Sequence, residues 1–484
     1  MRSAWCLLLS IVLACTAPPA ETTTEQRVET GDECAPPQFE LPPGSGGGGS
    51  GASSRQAWNR GVQKTVVVVV RQSDALVDSC RLQGLGRAIP RVRDYFLATS
   101  FSQFDLDLRF VADLVVQPGE NPPWFVVLER LAARGDDVTG LERLVILSSI
   151  RELPRGHGWG AYLRGDVFAE VWPQNVPMPD HFGFVDLDMW SDVPDFCATH
   201  PPGDPTSELI IHNEENGMFT TVVHELGHTT GLLHSHDLYC VDTALVQRPI
   251  TRLCRAYVYK DPLDPMGGGF VTDGTGTTQA LDFSGFSKSQ IGWLQLTNFA
   301  TVGAGTFALA PVALSPAAPS ASGVPRELRI PYPNRPWYYS IDYRKRLAGA
   351  ADDRLAFASG VSIRIGVDTE AWYEGTNTWQ FFDFKDFDAP ATEPLHSYFI
   401  DAFEQFFLLD ARMNGSVGTA FDTIETAFVQ QHMSPGNVFC DGNTGVQVRF
   451  ASEGASTATI QVTTGVNCSG SSGGGGTKLD PEVP

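Results

Sequence analysis

The sequence predicts an α+β protein, with a mixed sheet and a long motif-bearing helix followed by a β-sandwich-like region. Three observations predict it. Residues 66–70 are five consecutive valines, a β-branched run expected of a strand covered on both faces. His224-Glu225-Leu226-Gly227-His228 places two histidines four residues apart, the spacing that puts them on one face of a helix. In the last third of the chain, residues 446–450 and 458–462 alternate apolar and polar and are suited to pair as terminal strands.

The whole chain sets bounds on these elements. A length of 484 residues allows two or three domains. Apolar residues make up 42% and charged residues 19%, the balance of a globular chain. A formal net charge of -22 excludes a nucleic-acid binder, which needs a basic footprint. The same acidity favours basic substrates or simply keeps the protein soluble, and the second reading is preferred.

In chain order, residues 1–14 read as a signal peptide. Arg2 supplies the positive region, and the apolar stretch 7–13 is too short to span a bilayer. Val12-Leu13-Ala14-Cys15 resembles a bacterial lipoprotein signal, cut before Cys15 and acylated there. The alternative is ordinary cleavage after Ala17 or Ala20, with free secretion. The expected location is therefore the cell envelope or outer surface, or the medium, with a lipid anchor as the sole membrane contact. Residues 15–60, rich in Pro and Thr and then Gly and Ser, read as a flexible tether.

Folded sequence is expected over 61–300. After the valine strand comes a helix pattern at 89–97, a half-buried strand at 106–111 and a buried strand at 144–147. Strand, helix, strand, helix, strand makes an α/β half ahead of the motif helix. Residues 157–200, rich in Gly, Pro, Trp and Asp, read as a loop walling a cleft. Asp186, Asp188 and Asp192 within it offer a structural calcium site, with an acidic solvated loop as the commoner alternative. His157, His181, His200 and His212 lack ligand spacing among themselves and read as surface or hydrogen-bonded histidines. The motif helix is expected to start after residues 213–216, where an Asn can cap it.

The motif carries the chemistry. His224 and His228 can offer both imidazoles to one ion, while Glu225 beside them is left free to act as a base on water. Gly231 can leave the helix through a left-handed turn and bring His234 back towards the same ion. His236 and Asp237 are alternatives as third ligand, with the poorer spacing. Three imidazoles around an open fourth position suit a catalytic zinc. Ten histidines in 484 residues would give the short motif by chance in about one such chain in a hundred, and the extended form in roughly 10⁻⁵. Downstream, Asp264-Pro265-Met266-Gly267 has type I turn chemistry, and residues 283–294 read as a short closing helix.

Residues 301–468 are expected to form the β-rich region, entered through a Pro- and Ala-rich linker at 310–325. It either braces the first half or binds substrate or glycan, bracing being preferred. Residues 381–388, alternating Phe and Asp, are a core segment by default, or an exposed recognition loop or second calcium site. Residues 469–484 are a Gly-Ser tail expected to be disordered. With Cys6 and Cys15 set aside, seven cysteines remain. Cys240 with Cys254 and Cys440 with Cys468 are plausible local pairs; Cys80 with Cys197 follows by elimination, and Cys34 is left over.

Together, the extended zinc motif, Tyr259-Lys260-Asp261-Pro262-Leu263-Asp264-Pro265-Met266-Gly267 and Ile291-Gly292-Trp293-Leu294 resemble the metzincin metallopeptidases of the gametolysin and immune inhibitor A group. Shorter stretches are similar to the same group at residues 95–101, 337–344, 360–364 and 407–410. The resemblance implies zinc held by His224, His228 and His234, Glu225 as general base, and Met266 as the methionine of the turn beneath the ligands. It implies an extracellular endopeptidase acting on protein or peptide, expected to be a monomer. One position departs from the pattern. Several metzincins carry a Tyr two residues after the methionine, and this chain has Gly268, leaving the electrophilic helper unassigned, with Tyr257 and Tyr259 read as structural. The alternative from another class is a non-catalytic surface binding protein on the same scaffold.

Overall fold

A computed structural model of the chain describes residues 59–73, 79–118, 120, 122–149, 158–164, 172–179, 181–188, 196–200, 203–232, 234–241, 253–257, 261–295, 297–333, 337–354, 359–367, 406–409, 432–442 and 444–468. The signal and lipidation residues with Cys15, the tether up to residue 58, Cys34, His157, Asp192, Tyr259, residues 381–388 and the tail lie outside them. The described residues form a mixed α+β structure with several sheets and few helices. No described helix is long and apolar enough to cross a membrane.

The valine run forms the middle of β1 (Gly61–Gln72). It is flanked in a five-stranded sheet by β2 (Phe104–Val116) and β3 (Arg143–Ser149), and then by β5 (His181–Asp188) and β4 (Gly158–Arg164), in the order β2-β1-β3-β5-β4. Every pairing is parallel except that of β4 with β5, which makes β4 an antiparallel edge. Side chains alternate across β1 by the two-residue period. Val67 and Val69 enter one core with helix α1 (Ser79–Thr99), while Val66, Val68 and Val70 enter another with α2 (Trp124–Arg134). A continuous apolar run is what such double coverage requires.

Two expectations for this half are corrected. The stretch 157–200 is not loop throughout: it supplies β4, β5 and a short helix α3 (Phe196–Thr199). Its glycines read as loop residues, but Gly183 is an interior strand residue where a Cβ would lie 2.6 Å from Thr229 Cβ, so the sheet meets a helix end there. The motif helix, α4 (Pro205–Thr229), starts twelve residues earlier than a cap at Asn216, the last of the expected capping asparagines, would allow. Asp204 caps it, accepting from the N–H of Thr206 at 3.0 Å and of Ser207 at 3.2 Å, with Pro205 at the first helical position. Helices α1 and α4 touch at Gly84, where a Cβ would fall 2.7 Å from the Glu215 nitrogen.

Beyond α4, strands β6 (Ser235–Val241) and β7 (Leu253–Tyr257) leave the first sheet behind. A hairpin, β8 (Phe270–Thr272) and β9 (Thr278–Ala280), and helix α5 (Gly285–Gln290) follow. The remaining strands are β10 (Phe299–Thr301), β11 (Gly305–Leu309), β12 (Glu327–Pro331), β13 (Trp337–Lys345), β14 (Ser359–Val367), β15 (Phe406–Leu409), β16 (Val438–Asp441), β17 (Val446–Glu453) and β18 (Ala458–Thr463). They form a seven-stranded sheet, β10-β12-β13-β14-β15-β6-β7, and a four-stranded one, β11-β18-β17-β16. One hydrophobic core takes side chains from both, among them Tyr339, Ile363, Phe450 and Ile460. Strands β17 and β18 pair antiparallel as the alternation anticipates, with Phe450 opposite Ile460. Because β6 pairs in parallel with β15, a single sheet spans the expected boundary at residue 300.

Cys80 is bonded to Cys197 and Cys440 to Cys468. Cys240 and Cys254 stand opposite each other in the β6–β7 register.

Candidate metal centre

His224 and His228 ride the last turns of α4, separated by the one turn that a four-residue spacing demands. The helix then stops. Gly231 takes φ 91°, in the left-handed region where a Cβ is penalised, and its N–H donates to the His228 carbonyl at 2.9 Å. The terminal carbonyls are also claimed from outside the helix: Arg143 donates to Thr229 O at 3.4 Å and Asn59 to Thr230 O at 2.8 Å. Asn59, at the end of the expected tether, is fully buried, and its own carbonyl accepts from the Trp293 indole at 3.0 Å.

This reversal brings His234 to the other two. The three rings lie 4.9, 5.4 and 4.6 Å apart by centroid, and one potential ligand atom from each lies within 4.8 Å of the others. Among the described residues this is the single group of three or more His, Cys, Asp or Glu side chains able to share an ion. Asp186 instead accepts from the Ser148 hydroxyl at 2.5 Å, and His212 faces the Gly276 carbonyl at 3.1 Å.

The second nitrogens fix the orientation of two of the rings. His224 Nδ1 donates to Pro265 O at 2.9 Å and His228 Nδ1 to Leu232 O at 2.8 Å. A nitrogen facing a carbonyl must carry the proton, so in each ring Nε2 is left with its lone pair, the form a metal requires. Both rings are closely surrounded by protein yet keep part of their surface open. Burial lowers the His224 pKa, against the pull of Pro265 O and Asp264. Burial, with His224 nearby, lowers that of His228 to about 3. These are neutral donors at physiological pH, and a set of three imidazoles suits zinc among the common divalent ions. Glu225, one residue beyond the first of them, is buried with 7% of its surface exposed.

The turn at 264–267 lies against this arrangement. Asp264 builds it: one carboxylate oxygen accepts from Met266 N at 3.0 Å, the other from Ser284 N at 2.9 Å and Ser287 Oγ at 2.7 Å. Its carbonyls then serve the histidines. Pro265 O accepts a hydrogen bond from His224 Nδ1, and Met266 O accepts from the N–H of Ser235, the residue after His234, at 3.0 Å. Met266 is fully buried, and its sulfur lies where a Cβ on Gly227 would sit, so a glycine between the helical histidines is what lets the turn close on the helix. Gly268 takes φ 109°. Tyr257 belongs to β7.

Sequence reasoning missed Ser235, Asp261 and Arg364. The Ser235 hydroxyl donates to Asp261 Oδ2 at 2.5 Å, and Arg364 Nε donates to the same oxygen at 2.9 Å. The available signal was the charge of Arg364 between Ile363 and Ile365 in a strand, which ordinarily marks a solvent-facing position. Compared with known proteins, the chain matches no family model, and no curated protein matches it at a significant level.

Proposed function

We propose that the chain is a zinc-dependent endopeptidase of the metzincin type, acting outside the cell on protein or peptide substrates. The observation that carries the reading is the convergence of His224, His228 and His234 beside Glu225, over a turn whose carbonyls hold the first histidine and the residue after the third. The mixed sheet packed on the motif helix supports it.

In this reading His224, His228 and His234 hold the ion through their ring nitrogens. Bound zinc would polarise a scissile carbonyl and make a water in its open position acidic near neutral pH. Glu225 is the proton carrier: its carboxylate accepts the proton of the attacking water and returns it to the leaving amine. Pro265 O and Leu232 O keep both helical rings in one tautomer throughout. Strand β4, antiparallel and packed near α4, ends the sheet among the described residues, and in this reading an extended peptide would pair along it.

The test is metal analysis and peptide-library cleavage on the purified full chain and on Glu225→Ala. Zinc content should be the same in both, chelator should abolish wild-type cleavage, and Glu225→Ala should cleave about 10²–10⁴-fold more slowly. Equal cleavage by the variant would sink the mechanism. A metal-loaded wild type that cleaves nothing but captures a ligand would favour a binding protein.

A further inference from the structure

Two of the three histidines are held by the helix itself, since a four-residue spacing leaves their separation no freedom. His234 lies off the helix, three residues after the left-handed Gly231 and directly before β6. Ser235 is the fixed point next to it. Its N–H is held by Met266 O at 3.0 Å and its hydroxyl by Asp261 Oδ2 at 2.5 Å.

Asp261 is fully buried. It receives Leu263 N at 2.9 Å and the Arg364 guanidinium as a fork, Nε at 2.9 Å and Nη2 at 3.3 Å. Burial pushes its pKa up while Arg364 opposes the rise. All four of these contacts, from Ser235, Leu263 and the two guanidinium nitrogens, are donors. They are satisfied together by an ionised, acceptor-only carboxylate, so the pair is ionic. Arg364 is in turn anchored on β14 by Asp342 at 3.0 Å and Ser362 at 2.9 Å. A buried Arg–carboxylate fork has one low-energy geometry, which suits it to fixing a neighbour's position.

We propose that Arg364, acting through Asp261 and Ser235, is a positioning residue for His234, so that the β-rich part of the chain sets the geometry of the metal centre. This rests on the metal-binding role of the three histidines. Its distinctive consequence is that metal affinity and coordination geometry change when the relay is cut, beyond any general loss of stability.

The experiment uses the full chain and two probe ions. Zinc affinity is measured by chelator competition, and ligand geometry by the visible absorption of bound cobalt(II), for wild type, Ser235→Ala, Arg364→Lys and Tyr339→Phe. Ser235→Ala removes one hydroxyl and leaves the Arg364–Asp261 pair intact, so it remains informative even where Arg364→Lys does not fold. Tyr339→Phe cuts a buried hydrogen bond to Asp441 away from the relay and serves as the stability control. Loss of a partner behind a metal ligand typically weakens binding about 10–100-fold. The expected result is a drop of that order in Ser235→Ala and Arg364→Lys, with a shifted cobalt band, and neither change in Tyr339→Phe. Wild-type metal binding with unaltered affinity and spectrum in Ser235→Ala overturns the relay alone. A wild type that binds neither ion overturns the metal centre and the relay with it. An equal drop in Tyr339→Phe reduces the relay to ordinary stability and overturns it too.

Discussion

His228 illustrates how the site treats protons. Its unfolded-state pKa is near 6.5, and in the folded metal-free chain burial and His224 bring it to about 3. The folded state therefore binds fewer protons than the unfolded one between those values. Stability present above about pH 6.5 is lost as pH falls towards 3. Denaturant unfolding of the metal-free protein should show this fall, and His228→Gln should flatten it; an equally steep fall in that variant would remove His228 as the cause. Gly227 makes a second demand at this scale. Alanine there pushes into the sulfur of Met266, which is fully buried and must shift to admit it. Overpacking of this kind costs about 1–3 kcal/mol, and here it should also weaken zinc binding, because Met266 O and Pro265 O move with the turn. A Gly227→Ala protein of wild-type stability and affinity would contradict the close packing.

Helix α4 separates stability from function along its length. Asp204 lies twenty residues before His224, roughly 30 Å along the axis at 1.5 Å per residue. Asp204→Ala should cost about 1 kcal/mol in unfolding free energy and leave zinc affinity alone. Gly231→Ala imposes a Cβ on a left-handed residue, at about 1–2 kcal/mol, and should impair zinc binding as well. Similar affinity losses in the two variants would show that the helix transmits disorder along its whole length. The motif end of this helix was legible from spacing and Gly231. Its beginning was not, because Asn213 and Asn216 resemble caps while the true one precedes Pro205. Strands β13 and β14 mislead in a different way. Ser340, Asp342 and Arg344, like Ser362 and Arg364, alternate with apolar residues and read as a wet face, yet all are buried. The alternation correctly reports two different faces, but cannot tell water from a polar protein surface. Arg344, for example, donates to Leu263 O at 2.6 Å, Asp282 O at 2.7 Å and Asp352 Oδ1 at 3.0 Å.

Across the whole molecule, that polar face joins the two parts of the chain. Arg364 with Asp261, and Arg344 with the carbonyls of Leu263 and Asp282, cross between residues 261–282 and the β-rich strands. Removing one member of a buried ion pair costs about 3–5 kcal/mol, because the other charge is left uncompensated. A fragment of residues 1–300 loses both arginines at once, along with the strand beside β6. It is expected to be insoluble or to bind zinc far more weakly than the full chain, measured by sedimentation and chelator competition. A soluble fragment with full affinity would show that the first part is self-sufficient. Long-range pairings of this sort have little local signature, whereas a ligand set within eleven residues has a strong one. The candidate site could therefore be read almost completely from the sequence, while the residues bracing it could not.

The parallel pairing of β6 with β15 also has a meaning in time. A ribosome delivers the histidines by residue 234 and β7, one neighbour of the strand that follows them, by residue 257, but the other neighbour, β15, is not made until residue 409. More than a third of the chain must still be synthesised and, on the proposed role, exported after the last ligand appears. A chain caught partway carries every residue of the motif without the β15 side of the sheet beside it, so on the proposed role its cleavage would await the far end of the chain.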